Sequence, residues 1–500
     1  MHGAHTLGSP IQRYAYTLAF QKNDGGEMSR HEQGIAVRVA LRACAWAERW
    51  FPDPFAVAAL VLVLVAVTAA AAGAPAVSVA RAFGDGFWSL IPFTMQMCFV
   101  LIGGYVVADS APMTAALEWL AARPRSGRGA VALVAATAVL LSLLHWGLAL
   151  IGATLLARAL ARREELQMDY RAAGAAAYVG LGATWALGLS SSAAQLQANP
   201  ASMSKELLAV TGVIPFSETI FLWQSLVLTA VLVVVSIAVA WFTAPGPTEA
   251  LTAQRLGLDT SRPSPATTAQ RRPADVLEQS PLLSMALVAL GVGWLWHEFT
   301  AKGPIGALSN LNSYNFLLLI LGLLLHWRPR RFLDSVMRAV PGTAGILIQF
   351  PLYGAVAQIL TSAPAADGFT LSARLAEVLT HLSTPGSFPV VVGLYSSLLG
   401  FFVPSGGGKW LIEAPYVMQA ANDLHVHLGW TVQVYNAAEA LPNLVNPIWM
   451  LPVLGILGLR AKDMVGFSVL QLVVHAPIVL FLLWLLSGTL IYHAPVMPGP

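Results

Sequence analysis

Phe401-Phe402-Val403-Pro404-Ser405-Gly406-Gly407-Gly408-Lys409-Trp410-Leu411 sets a helix-breaking Pro-Ser-Gly-Gly-Gly and a lysine into a stretch with no other charge back to Glu377. Hydrocarbon tolerates interrupted helix only where the freed backbone is buried in protein or lines a wet cavity. The stretch therefore predicts two half-helices that meet inside a membrane protein. His145-Trp146-Gly147 interrupts a second apolar run, in the first half of the chain. Matched interruptions in two halves are the sequence mark of a carrier whose binding site lies between repeats.

The rest of the chain fits that reading. It is 56% hydrophobic and only 11% charged, with mean hydropathy +0.66, where a soluble domain carries about 25% charge. Charges fall in islands separated by uncharged runs at 54–80, 86–108, 129–157, 172–204, 219–248, 303–327, 339–366, 378–408, 440–459 and 464–500, with a shorter one at 279–297. A spanning helix needs about 20 apolar residues. Several runs are too long for one span and too short for two, which again predicts hairpins or broken helices. The net charge of +3 gives no reason to expect nucleic acid. Cys44 and Cys98 are too isolated for a disulfide framework, and His425 and His427 are a loop pair among scattered histidines, so no metal site is expected beyond a possible Na+. Residues 1–34 are polar and aperiodic and read as a disordered tail, with Met28 a candidate native start and no cleavable signal peptide.

Arginine placement orients the spans. Arg30, Arg38, Arg42 and Arg49 put the N-terminus in the cytoplasm, span 54–74 exits and span 87–108 returns to Arg123, Arg125 and Arg128. Read as a single span, 129–161 would carry Arg158, Arg162, Arg163 and Arg171 outside; folded as a re-entrant hairpin at His145-Trp146-Gly147 it keeps them inside. Residues 172–200 then exit with a break at Ser190-Ser191-Ser192, and 219–242 return. Residues 243–280, rich in Pro, Thr, Ser and Ala, read as a cytoplasmic linker. Spans 281–300, 314–327 and 339–361 follow, then a second hairpin at 387–422, a span 429–459 broken near Asn443–Pro447, and 464–493. The expected fold is thus an all-α polytopic membrane protein of nine spans and two re-entrant hairpins. A first half at 35–242 and a second at 281–500 repeat the order with inverted sidedness. Trp46, Trp50, Trp88 and Trp119 read as interfacial anchors.

A helix broken within the membrane offers unpaired N–H groups to anions at one end and carbonyls to cations at the other. Gly406, Gly407 and Gly408 admit a ligand close to the backbone, Ser405 precedes them, and Lys409 follows in the first turn. Lys409 can read a carboxylate, pair with Glu413 one turn on, or snorkel to the interface. His145, Trp146 and Gly147 complete the candidate substrate set, with Gln349, which, like Gln96, can also serve to bridge helices. Ser190, Ser191, Ser192, Asn436, Glu439, Asn443 and Asn446 are the candidate ion-coupling residues. Intramembrane acids are functional hypotheses by default; Glu439 can hold a proton or Na+, or pair with Lys409. There is no P-loop and no nucleophile elbow, so neither ATP-driven pumping nor catalysis is expected.

Gly84-Asp85-Gly86-Phe87-Trp88 with Met95-Gln96-Met97, Gly342-Thr343-Ala344-Gly345-Ile346-Leu347-Ile348-Gln349-Phe350-Pro351, and Val403-Pro404-Ser405-Gly406-Gly407-Gly408 resemble the short-chain fatty acid transporter family of bacterial inner membranes, as does Trp50-Phe51-Pro52-Asp53-Pro54. The resemblance runs from about residue 40 to the end. It implies an ion-transporter-like fold and carriage of small monocarboxylates such as acetoacetate and butyrate. The chain departs from the family pattern at His145, where the family has Asn, at Thr184-Trp185-Ala186-Leu187-Gly188, where it is Gly-rich, and at Lys409, where it often has His. The expected protein is therefore a secondary carrier of small carboxylates, working by alternating access. Its expected partners are that substrate, H+ or Na+, the bilayer and a second copy in a homodimer, with no cofactor. A membrane-embedded enzyme acting on lipid or acyl groups and a passive anion channel are the alternatives.

Overall fold

The computed structural model describes residues 54–260, 273–403 and 405–497. The expected tail at 1–34, Met28, Cys44, Trp46 and Trp50 lie outside them. Among the described residues the regular structure is helical apart from one isolated bridge, Gly212 with Val496. Seven helical stretches among the described residues are long and apolar enough to cross a membrane. Six coincide with expected spans. The seventh, Gly127–Leu144, is the first arm of the expected hairpin. The expected spans 54–74 and 314–327 are shorter apolar helices, and 429–459 is split into two pieces.

In chain order, α1 (Pro54–Ala71) precedes a bent pair, α2 (Ala76–Ser89) and α3 (Ile91–Ala108), and the short α4 (Ala111–Ala121). The first hairpin is α5 (Gly127–Leu144) and α6 (Trp146–Ala161), followed by α7 (Tyr170–Ala183), the six-residue α8 (Ser192–Gln197), the short α9 (Lys205–Thr211) and α10 (Trp223–Thr243). Two connecting helices follow: α11 (Pro281–Ser309) and α12 (Leu311–His326). Inside α11, Gly303 adopts φ 70° and hands over to Pro304, which cannot donate to the helix, so α11 kinks there.

The second half repeats the first in order. A bent pair, α13 (Pro329–Ala339) and α14 (Ala344–Ser362), leads to the short α15 (Leu371–Leu382), the hairpin α16 (Phe388–Phe402) and α17 (Gly406–Asp423), the broken pair α18 (Leu428–Asn443) and α19 (Pro447–Leu457), and the long α20 (Ala461–Ser487). The two bent pairs match in length, 33 residues for Ala76–Ala108 and 34 for Pro329–Ser362. The short helices α4 and α15 are a further matched element.

Burial ranks the helices from centre to rim. Tyr170–Gln197 is 94% buried, whereas Pro281–Ser309 is 22% buried. The broken span is therefore the axis of the bundle, packed by the hairpin α5–α6 on one side and by α18 and α20 on another. The exposed Leu282, Leu290 and Trp296 of α11 present an apolar face suited to hydrocarbon. Trp88 and Trp119 are exposed near helix ends, and Arg123 covers the Trp119 ring at 4.0 Å, as anchors would be.

The expected linker is seated over its first part. Asp169 caps α7 by accepting from the Arg171 and Ala172 amides, pairs with Arg171 at 2.7 Å and accepts the Leu251 amide at 3.0 Å. Leu251 O in turn accepts from the Tyr170 amide at 2.9 Å. Ala244, Ala250 and Ala253 are buried behind it.

Candidate functional site

At the second hairpin, α16 ends at Phe402 and α17 begins at Gly406. Ser405 caps α17, its hydroxyl accepting the Gly408 amide at 3.2 Å. First-turn amides have no acceptor within their own helix, so the Gly406 and Gly407 amides head α17 and face whatever lies beyond the tip. The glycines are required by what presses on them. A Cβ on Gly406 would overlap the Trp185 ring, one on Gly408 the Tyr353 ring, and one on Gly407 would stand 3.1 Å from Ser192 Cβ and 3.3 Å from Phe350. Phe350 itself stacks on Phe93, with centroids 5.9 Å apart.

The first hairpin turns at a single residue. His145 is extended (φ −161°, ψ 122°) and its Nδ1 accepts the Gly147 and Leu148 amides at 3.1 and 3.2 Å, capping α6. The ring lies between Tyr314 and Trp146, with centroids 6.1 and 6.0 Å away, over Gly104. His145 is thus held structurally at the tip. Losing an N-cap acceptor costs about 0.5–2 kcal/mol, so His145→Ala should lower the melting temperature, and His145→Asn, which keeps a capping oxygen, should recover most of the loss.

The break in the first broken helix joins the two tips. Ser190 Oγ accepts the Trp146 amide at 3.0 Å, and the Leu189 amide donates to Leu143 O at 2.7 Å, tying the break to the first hairpin. Trp185 and Ser192, flanking the same break, meet Gly406 and Gly407 of the second. Ser191 caps α8 through the Ala194 amide. The second broken helix closes the arrangement: Asn443 Nδ2 donates to Leu181 O at 3.3 Å, Tyr178 OH donates to Asn446 O at 3.2 Å, and Trp449 meets Trp146 edge-on at 6.1 Å. All four interruptions seen in the sequence therefore converge.

One turn behind the glycine tip lies a buried charge cluster. Lys409 Nζ stands 3.2 Å from Glu413 Oε1 and 2.7 Å from Glu439 Oε2, and the three side chains are 0–1% exposed. The ammonium also donates to Ser396 O at 2.7 Å and sits 4.6 Å from the Tyr435 ring centroid, while Ser396 Oγ donates to Glu413. Tyr435 OH donates to Gly406 O at 2.5 Å, linking the cluster to the tip. Lys409 does not snorkel and is not a free cation at the helix start: both pairing partners weighed from the sequence hold it at once. Taken as ionised, two carboxylates and one ammonium leave one net negative charge away from water. Removing charge from water is costly unless it is compensated, so the cluster is suited to hold one exchangeable proton.

Two expected residues lie elsewhere. Asn436 donates to Gln433 Oε1 at 2.7 Å, and Gln433 donates to Ser225 Oγ at 3.0 Å, a polar chain directed toward the start of α10. Gln349 is half-buried and, among the described residues, accepts a long bond, 3.5 Å, from Tyr353 OH; its neighbours Phe350 and Tyr353 touch the glycine tip instead. Gln96 bridges helices, donating to Asn312 Oδ1 at 2.9 Å and accepting from Ser202 at 3.2 Å. Trp185, Phe350, Tyr353, Ser396 and Tyr435 were not legible as site residues. Trp185 and Trp410 bury indole N–H groups that make no hydrogen bond among the described residues, donors a ligand could use.

Residues 35–486 match the family model described as short chain fatty acid transporter. An Escherichia coli (strain K12) protein provisionally named a short-chain fatty acid transporter is 30% identical over 437 residues, covering 87% of this chain and 96% of the relative. A Haemophilus influenzae protein with the same provisional name is 29% identical over 460 residues, covering 90% and 99%. Among solved structures, the YdaH transporter of Alcanivorax borkumensis, described as having an unusual topology, superposes with a TM-score of 0.55 at 15% identity, covering 88% of this chain and 98% of the other. That likeness concerns the fold.

Proposed function

The chain belongs to the short-chain fatty acid transporter family, and from that premise we propose that it carries small monocarboxylates across the bacterial inner membrane by alternating access, coupled to protons. The observation that carries this reading is the convergence of both hairpin tips and both broken helices on one locus. The Gly406–Gly407 amides head α17 there and supply the anion end of a helix dipole. Trp185, Phe350, Tyr353 and Phe93 crowd the tip with aromatic rings and leave little room, which favours a short acyl chain. The tip is sealed against these rings, and swinging α16–α17 away would open it.

The proton is assigned to the Lys409–Glu413–Glu439 cluster, with Glu439 as its carrier. Lys409 Nζ already occupies the place between the carboxylates that a Na+ ion would take. The serine break at 190–192 is the alternative cation locus, and Na+ coupling is the second reading. Reconstituted uptake of carboxylates graded by chain length, with pH and Na+ gradients imposed separately, tests both. Saturable uptake of short chains driven by an inward proton gradient is expected. Uptake that does not saturate would mean a passive channel, and a response to Na+ alone would move coupling to the serines. Glu439→Gln should retain exchange of substrate across the membrane while losing pH-driven accumulation.

The two halves are proposed to be inverted, with the N-terminus cytoplasmic. In a background without the native cysteines, single cysteines replacing Glu165 and Pro265 should be shielded from impermeant thiol reagents in intact cells. One replacing Asp367 should label. Labelling at 165 without permeabilisation would mean that 129–161 crosses the membrane, and the inversion would be lost.

A further inference from the structure

Three residues far apart in sequence meet at the surface where α17 hands over to α18. Glu218 lies in the turn before α10, His427 caps α18, and His493 belongs to the tail after α20. One ligand atom from each lies within 4.8 Å of those from the other two. His493 Nε2 is 2.9 Å from Glu218 Oε2, and the His427 and His493 rings meet edge-on with centroids 5.2 Å apart. The backbone locks the arrangement: α18 starts so close to Glu218 O that Gly429 has no room for a Cβ.

The tail that brings His493 is pinned on both sides of it. Tyr492 OH donates to Asn422 Oδ1 at 3.1 Å, and its ring packs on His425 at 5.0 Å. Farther on, the Val213 amide donates to Val496 O at 2.8 Å, beside the Gly212–Val496 bridge. Two imidazoles and a carboxylate are the donor set of open three-ligand zinc sites, with water in the fourth position. Ligand bonds of about 2.0–2.2 Å require the three donors to draw together by roughly an ångström, within reach of side-chain rotation for the half-exposed His493 and Glu218.

We propose that Glu218, His427 and His493 form a site for a transition-metal ion, Zn2+ in the first instance, that fastens the C-terminal tail across the start of α18. This goes beyond carboxylate transport and does not depend on it. A neutral imidazole has one lone pair, and that of His427 now accepts the Trp430 amide through Nδ1 at 3.0 Å. The metal takes His427 either at Nδ1 in place of the amide, or at Nε2 after the ring proton moves to Nδ1. Either way the cap on α18 is given up, so metal binding is linked to the helix that carries Glu439.

The test is titration of the purified full-length protein, tag removed, with Co2+ and Zn2+. One Co2+ per chain should bind with the visible d–d absorption of a low-coordinate site, Zn2+ should bleach it, and Zn2+ should raise the melting temperature. Glu218→Gln and His493→Gln should each lose the absorption and the thermal shift. His427→Asn, which keeps a capping oxygen, should lose them while remaining folded. His381→Ala removes an exposed histidine elsewhere and should leave both unchanged. An unaltered Co2+ spectrum in His493→Gln, or an equal loss in His381→Ala, would identify adventitious surface binding and overturn the site.

Discussion

Lys409→Met is expected to destabilise the protein by about 3–5 kcal/mol, the loss typical when one member of a buried ionic cluster is removed and its partners are left charged. Glu413 and Glu439 would face each other without the ammonium that now lies 3.2 and 2.7 Å from them. The melting temperature in detergent should drop sharply and then recover in Lys409→Met/Glu439→Gln, where the remaining charge is smaller. Lys409→Gln separates two roles by two readouts. If Lys409 only neutralises its glutamates, stability falls and substrate affinity is nearly unchanged. If it also reads the substrate carboxylate, a charged hydrogen bond of roughly 1.5–3 kcal/mol is lost, and affinity falls about ten- to a hundred-fold. Equal stability of Lys409→Met and the native protein would show that the cluster is not charged as drawn.

Gly408→Ala is expected to abolish uptake and to lower stability by about 1–3 kcal/mol, the range for overpacking a filled interior. Its Cβ would enter the Tyr353 ring, whereas the Cβ of Gly407→Ala would stand 3.1 Å from Ser192, where a shift of a few tenths of an ångström relieves it. The ranking Gly408→Ala worse than Gly407→Ala is thus specific to this packing. A smaller side chain opposite should restore part of the loss, so Gly408→Ala/Tyr353→Leu should be more stable than the sum of its single changes predicts. Additive losses in melting temperature would mean that the two residues do not touch.

What the sequence exposed, and what it hid, follows from the range of the forces involved. Pro404 and Gly406–Gly408 disfavour helix interiors through their own backbone chemistry, and the polar His145 with Gly147 marks a break inside an apolar run, so the interruptions were readable one at a time. The hairpin at His145 was readable because Arg123, Arg125 and Arg128 flank one arm and Arg158, Arg162 and Arg163 the other. The pairing of Lys409 with Glu413 is an i,i+4 relation and local. Glu439 joins from another helix, a choice only packing can make. The same holds for Trp185 against Gly406 and Tyr353 against Gly408. Asn436 was placed by its nearness to a break, but it sits one turn short of Glu439 and spends its amide on Gln433. Glu218, His427 and His493 have no spacing that marks them as a set; the docked tail makes them one.

The charge count of the buried cluster has a consequence for how voltage acts on the protein. Under the proposed proton coupling, two glutamates, one lysine and one bound proton would sum to zero, and a monocarboxylate travelling with that proton would cross as a neutral pair. Moving one elementary charge through 100 mV is worth about 2.3 kcal/mol, and a neutral pair forgoes that work altogether. Accumulation would then follow the pH difference and stay indifferent to the membrane potential. A potassium–valinomycin diffusion potential applied to proteoliposomes at equal pH should leave net uptake unmoved, and the same vesicles should fill when only the outside is acidified.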